Sequence, residues 1–317
     1  MIAVTGATGQ LGSRVATRLA NLGIEQTIIV RDPGRAPTLP KAKIEKASSY
    51  ADATAIGRAL SGVETLFIIP AEDLMGVIAK SYANNKPLQP YDRVHQHIAL
   101  VAVACGVGVK KIVYVSFVSA EKDATFLLGR DHFHTEEYIR STGIPFTFLR
   151  MNLYMDKAPL HVSDDYVIRG PAGDGRVAWV TRNDIADVAV AVLTQDDHNG
   201  CTYDVTGPEA LTMSETAEIL SSVTGKKITY EAQTPHEART LKNSSRLDKW
   251  VAERKALTGK DIHEYELEVW ISHYMQIATG EASIVSDTVP RLTGHEAKSL
   301  SGYLEEHPES YRHILHY

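Results

Sequence analysis

The sequence predicts an α/β fold, a doubly wound parallel sheet with a smaller α/β lobe interleaved toward its C-terminus. Three observations predict it. Short β-rich runs alternate with longer helical patterns through the first half, as in sheets whose parallel strands are joined by crossover helices. Those runs are nearly all apolar, as expected when both faces of a strand are covered. The opening stretch, MIAVTGATGQLGSRV, passes from a strand through three evenly spaced glycines directly into a helix.

The elements follow in order. IAVTG is an apolar run ended by a glycine, hence a buried strand, and SRVATRLANLG has the spacing of an amphipathic helix. TIIVR is a strand, ATAIGRALSGV a helix, and TLFII a strand; a helix ending near Gly106 then precedes the strand KIVYVS, the helix HTEEYIRSTG and the strand FTFLR. After Arg150 the rhythm changes. VAWVTRNDIADVAVAVL reads as a strand entering a helix, with Asn183 or Asp184 as its cap. In LTMSETAEILSSVTGKKITYE, Thr212 and Glu215 have capping-box spacing, Gly225 ends the helix, and a β run follows. Residues 236–274 are helical and polar in pattern, and the last forty or so have room for another helix or two. The expected division is a nucleotide-binding domain over residues 1–155, its sheet completed by parts of 175–207, and a substrate-binding lobe over 156–317. DLMGVIAKSYANNKPLQPYDR, Asp73 to Arg93, breaks the helical rhythm with two prolines and an Asn-Asn pair and reads as a mobile loop beside a site.

Composition narrows the function. At 317 residues the chain can bury a sizeable core, and 44% hydrophobic with 23% charged residues excludes disorder. A net charge of -6, with no cluster of Lys and Arg, argues against nucleic acid and leaves a small acidic or zwitterionic ligand open. Cys105 and Cys201 form neither a metal-ligand spacing nor a disulfide framework, which fits two small core residues in a reducing compartment. The longest apolar run, IALVAVACGVGV, is far shorter than the ~20 residues of a membrane span. A first strand at Ile2 leaves no room for a charged leader, so a cytoplasmic protein with no membrane partner is expected, as monomer or homodimer.

Gly6, Gly9 and Gly12 make a dinucleotide fingerprint of the Rossmann type. Without a Cβ they permit the tight turn, the approach of backbone to a pyrophosphate, and close packing of helix on sheet. The helix start adds unpaired N–H groups and a positive dipole end. A glycine-rich turn alone would leave a ligandless reading open; the strand before it and the helix after it favour the cofactor. No Walker lysine follows, which argues against ATP. The second strand ends in Arg31, a partner for a 2′-phosphate where an acidic residue would take a ribose hydroxyl, and Arg35 offers a second cation. Asp32 argues the other way. NADP(H) is the expected cofactor and NAD(H) the alternative.

TGATGQLG, VRDP at Val30 to Pro33, GIPFTFLRMNLYMD at Gly143 to Asp156, GPAGDGRVAWVTRNDIA at Gly170 to Ala186 and GEAS at Gly280 to Ser283 together resemble the NmrA-like atypical short-chain dehydrogenases. The resemblance spans almost the whole chain and is nearest to the branch of NADPH-dependent quinone and triphenylmethane reductases. It departs at Asp73 to Arg93, which is longer than the family has there. It implies cofactor contacts from Gly6, Ala7, Thr8, Gly9, Gln10, Leu11 and Gly12 to the pyrophosphate and from Arg31 to the 2′-phosphate. It places Ser49 and Tyr50 near adenine, and adds Ile69 and Pro70 after TLFII and Ser116, Phe117 and Val118 after KIVYVS.

Short-chain dehydrogenases that reduce carbonyls use a Ser and a Tyr-x-x-x-Lys, the tyrosine giving its proton to the alkoxide. Here the Tyr82 to Lys86 pair precedes the Ser116 strand instead of following it, and is a decoy. Counting back from Glu136, at the family's glutamate, puts His132 at the lysine position and Leu128 at the tyrosine position. Ser116 is left as a hydrogen-bonding wall. An acceptor that takes hydride readily, a quinone, azo dye or cationic triarylmethane, does without that acid, so a small aromatic or quinone-like substrate is expected.

Phe117, Asn152 and Tyr154 follow strands that end near the cofactor. Asn152 either holds a carboxamide or substrate oxygen or satisfies turn backbone. Tyr154 either stacks on substrate or belongs to the core. His132 either polarises the acceptor oxygen, touches the nicotinamide ribose, or packs a helix. The pairs His132/His134 and His95/His97 are two apart, point away from each other on a helix and read as surface residues, with no metal site. The expected function is NADPH-dependent reduction of quinones or related conjugated electrophiles without a Tyr-Lys pair; the alternative is a non-catalytic NADP(H) sensor.

Overall fold

The computed structural model describes residues 1–70, 92–240 and 264–316. A seven-stranded sheet, every strand parallel to its neighbours, forms its centre: β1 (Ile2–Thr5), β2 (Gln26–Val30), β3 (Ala42–Lys46), β4 (Thr65–Ile68), β5 (Lys111–Phe117), β6 (Phe146–Met151) and β9 (Cys201–Val205) in the order β3-β2-β1-β4-β5-β6-β9. The chain winds outward in both directions from between β1 and β4, so the crevice beyond their carboxyl ends is the place for a ligand. Residues of β1 and β2 are buried throughout, which is why these strands read as unbroken apolar runs.

Helices α1 (Gln10–Asn21), α2 (Ala53–Ala59), α3 (Asp92–Gly106), α4 (Leu127–Ser141) and α5 (Arg182–Thr194) cover the sheet. Leu11, Val15 and Leu19 of α1 join Ile185, Val188 and Val192 of α5 on one face. Ile56 of α2, Leu100 and Val101 of α3 and Ile139 of α4 pack on the other.

Beyond β6 the chain adds short strands β7 (Val167–Gly170), β8 (Arg176–Val177), β10 (Leu211–Thr212) and β11 (Thr229–Ala232) and helices α6 (Met213–Thr224), α7 (Pro235–Thr240), α8 (Glu264–Ala278), α9 (Thr288–Thr293) and α10 (Leu300–Glu306). β7 pairs with β11 and β8 with β10. A third core fills this lobe around Trp179, Met213, Leu220, Tyr274 and Ile277, and it takes in Phe117, Val118, Phe126 and Leu128. The lobe is thus packed directly on the carboxyl end of β5.

Several expectations are corrected. AKIEK forms the edge strand β3, whose charges and exposed Ile44 hide it from a search for apolar runs. Thr181, not Asn183 or Asp184, caps α5: its hydroxyl accepts from Asp184 N at 2.9 Å, while the Asp184 carboxylate accepts from Lys298 N at 3.2 Å. In VAWV only Val177 is in a strand; Trp179 and Val180 continue, buried, without one. α4 begins at Leu127, a full seven residues before HTEEYI, because Leu128 and His132 extend its buried side. Cys105 and Cys201 are half-buried, outside the fully enclosed core. The capping box of α6 is formed, with Gly225 left-handed at its end (φ 68°). Residues 73–91 of the expected loop, the Tyr82 to Lys86 pair and residues 241–263 of the polar helical stretch lie outside the described residues; Asp92 and Arg93 open α3.

Candidate cofactor and substrate site

The turn after β1 is built to exclude side chains. Gly6 is left-handed (φ +66°), with Ile69 at its face. A Cβ on Gly12 would lie 2.3 Å from the Gly6 carbonyl oxygen, and one on Gly9 would lie 3.2 Å from it. Gly9 N donates to Gly6 O at 2.9 Å and closes the turn. Gly9 gives α1 no side-chain cap, and the first turn holds no acidic residue, so its N–H groups and positive end are left for an anion. Ala7 and Leu11 anchor the turn in the core; Thr8 is half-buried, and Gly9 and Gln10 are exposed. This cradle fits a dinucleotide pyrophosphate.

One wall of the crevice is pinned by Thr5. Its hydroxyl accepts from Ile69 N at 2.9 Å and donates to Phe67 O at 3.3 Å. The Tyr50 hydroxyl donates to Ile69 O at 2.7 Å, and burial pushes its pKa up to about 12 against the pull of the nearby Arg31 charge. Pairing of Thr5 with Ile29 brings Arg31, exposed one residue past β2, alongside the glycine turn. Asp32 is occupied, its carboxylate accepting from Gly34 N at 3.0 Å to cap the short turn Pro33–Arg35. That resolves the conflict between the two neighbours. Ser49 and Pro70 are half-buried in the segments that follow β3 and β4.

The other side groups differently. Ser116 is fully buried and donates to Glu136 Oε1 at 2.6 Å. Glu136 also accepts from Arg150 Nε at 2.9 Å and Nη2 at 2.7 Å, a two-pronged ion pair. The Ser116 proton therefore points to α4 and is committed there. His132 is buried, its Nδ1 2.9 Å from the Tyr114 hydroxyl and its ring 6.1 Å from that of Phe117; burial holds it neutral, well below the usual histidine range. His97 is buried too, with Nδ1 3.0 Å from Thr135 Oγ1. Two of the four histidines expected at the surface are core residues, because each finds a hydroxyl partner inside.

Asn152 is fully buried and joins the lobes: Nδ2 donates to Ala282 O at 2.8 Å, and Oδ1 accepts from Leu153 N at 2.8 Å. Tyr154 lies under the Arg182 guanidinium, 3.7 Å from ring centroid, and Arg182 pairs with Asp156. Phe117 and Val118 are buried where β5 ends. Sequence reasoning did not find Ser119, left-handed at φ 53° just past them, whose hydroxyl donates to Glu281 O at 3.0 Å, nor His161 and His273 of the lobe. Nothing in their spacing signals them. Among the described residues no group of His, Cys, Asp or Glu could hold a metal, and no helix is long and apolar enough to cross a membrane.

The profile of the NmrA-like family matches residues 1–260. The chain belongs to this family. Among NmrA-like proteins it is similar to the (4-alkanoyl-5-oxo-2,5-dihydrofuran-3-yl)methyl phosphate reductase of Streptomyces griseus, 32% identical over 98% of this chain and 99% of that protein. The NADPH complex of an NADPH-dependent quinone oxidoreductase from Escherichia coli superposes with a TM-score of 0.78 at 27% identity, covering 96% of this chain and 99% of that one. The NADP(H) complex of the triphenylmethane reductase from Citrobacter gives 0.73 at 29% identity, covering 99% of both. The NmrA-like glycine turn and the crevice beside it are thus features of a fold solved with this cofactor.

Proposed function

We propose that this chain is an NADPH-dependent reductase that delivers hydride to a quinone or a related conjugated electrophile, such as an azo or triarylmethane dye, without a tyrosine acid. The observation that carries the reading is the side-chain-free cradle of Gly6, Gly9 and Gly12 at the uncapped start of α1, with Arg31 beside it and Asp32 engaged elsewhere. The three relatives named above are by name a reductase of a dihydrofuranyl-methyl phosphate, an NADPH-dependent quinone oxidoreductase and a triphenylmethane reductase, which supports a conjugated acceptor.

NADPH, when bound, supplies two electrons and a proton as hydride; one further proton, from water, completes a hydroquinone. The chain's own residues do the rest. First-turn N–H groups of α1 hold the pyrophosphate, Arg31 the 2′-phosphate, and Ser49 and Tyr50 border the adenine. Ile69, Pro70, Phe117 and Val118 wall the nicotinamide and keep water from it. Asn152 holds the lobe against the end of β6. Among the described residues, Leu128 and His132 occupy the positions expected of the tyrosine and the lysine, both buried and His132 tied to Tyr114, which supports a reaction without that acid. Hydride transfer then depends on orientation over a flat ring, not on protonating it.

The test is NADPH oxidation followed separately with benzoquinone, naphthoquinone, an azo dye and a cationic triarylmethane dye, and repeated with NADH. Turnover with at least one acceptor, and a loss of NADPH affinity in Arg31→Ala about tenfold larger than that of NADH, are expected. Tight NADPH binding with no turnover on the whole panel would overturn the enzyme in favour of a sensor.

A further inference from the structure

The lobe brings together two histidines from distant parts of the chain beside the carboxyl end of β5. His161 ends the short helical turn Met155–His161, and His273 lies in α8. Their rings stack 5.6 Å apart and 14° from parallel. An aromatic path links them to the expected nicotinamide wall: the Phe117 ring is 5.2 Å from Phe126, and Phe126 is 5.8 Å edge-on to His273. Three successive residues ahead of and into α4 are held by this same part of the lobe. Thr125 N donates to Glu281 Oε1 at 2.8 Å, Phe126 abuts His273, and Leu127 N donates to Ser272 Oγ at 3.2 Å.

Among the described residues, two polar atoms here are buried without a hydrogen-bond partner, His273 Nδ1 and Glu281 Oε2. Buried polar atoms are nearly always bonded, so each of these orphans needs a partner that the described residues do not supply. The proton on His161 can be placed. Its Nδ1 lies 2.6 Å from the Tyr274 hydroxyl, which burial keeps protonated far above the usual phenol range and which has no other acceptor among the described residues. Tyr274 donates, so the His161 hydrogen sits on Nε2. Burial, together with the neighbouring ring in the case of His273, drops the pair to about 4 and about 3, so both imidazoles are neutral at neutral pH: His161 donates through Nε2, and His273 donates through its orphaned Nδ1 in the tautomer that carries the hydrogen there.

We propose that His161 and His273 form a paired N–H donor site for a carbonyl or quinone oxygen of the acceptor, orienting its ring toward the cofactor; this rests on the hydride-transfer reading above. As hydride adds to the acceptor, negative charge grows on that oxygen, and donors fixed in place beforehand stabilise it more than they stabilise the ground state. The imidazoles keep their protons. The sequence hid this site because its halves come from a turn and a helix that meet only through the lobe core.

The test uses the full chain with NADPH and two acceptors, a naphthoquinone and a triarylmethane dye that carries no oxygen. In His273→Phe and His161→Phe, kcat/KM for the quinone relative to the dye falls about tenfold or more. Loss of packing alone would lower both together. His273→Phe keeps the stacked ring and removes an orphaned nitrogen, so its melting temperature stays at or above that of the parent, while His161→Phe strands the Tyr274 hydroxyl and lowers it. A parent active on both acceptors, with the ratio unchanged in His273→Phe, overturns the donor site alone. A parent inactive on both overturns the hydride-transfer reading and the donor site with it.

Discussion

Glu136 shows how a single residue can decide what its neighbours do. Fully enclosed where α4 meets β5 and β6, its carboxylate accepts from the Ser116 hydroxyl at 2.6 Å and from both prongs of Arg150. A serine so engaged cannot also polarise a substrate unless that bond is given up. Ser116→Ala is therefore expected to lower stability by about 1.5–3 kcal/mol, as for a buried hydrogen bond to a charged group, while kcat with the best acceptor hardly changes. Denaturant melts and steady-state rates check both; a kcat collapse in a stable Ser116→Ala protein would restore Ser116 to the chemistry. The serine's place after KIVYVS was legible in the sequence. Its partner was not, because a hydrogen bond across two elements leaves no spacing to read.

At the scale of elements, local sequence rules worked where the whole signal lies within a few residues. The α6 capping box is one case: Glu215 N donates to Thr212 Oγ1 at 3.0 Å and Thr212 N to Glu215 Oε2 at 2.7 Å. Thr212→Ala should cost about 1 kcal/mol in a chemical melt, and an unchanged midpoint would mean that packing of Ala217 and Leu220 holds the helix unaided. The cap of α5 failed as an expectation because three neighbouring residues, Thr181, Asn183 and Asp184, all carry suitable oxygens. Tertiary bonds chose among them. Asn183 is bonded to Arg14 and Arg18 of α1, and Asp184 to the Lys298 backbone, which leaves Thr181 for the cap. Likewise β3 exists through its pairing with β2, register Ile28 to Ile44, and not through an apolar run of its own.

Across the whole molecule, buried titratable groups set a pH dependence. His97, His132, His161 and His273 are all held below the ordinary histidine value, chiefly by burial. Above pH ~6.5 both folded and unfolded chains leave them neutral; as pH falls through that value the unfolded chain takes up protons that the native state refuses, and stability is lost. Asp131 works the other way. Burial raises it from 3.8 to about 6, so the native state binds its proton first and gains stability as pH falls through that window. Burial likewise raises Asp184 and Asp204 and lowers His198, so five histidines stand against three carboxylates, and the melting temperature should drop between pH 7 and 4.5, less so in His273→Phe. A flat or rising profile over that range would show the imidazoles to be solvated.

The sequence by itself determined five strands of the sheet, their parallel sense and the glycine cradle, because apolar runs, helical periodicity and a strand-turn-helix junction are written in contiguous residues. Only the tertiary structure decided what faces the crevice: that Asp32 serves a turn, that Ser116 and His132 turn inward to Glu136 and Tyr114, and that His161 meets His273. Such partners are set by where the lobe core packs, and packing joins residues whose separation along the chain carries no periodic signal.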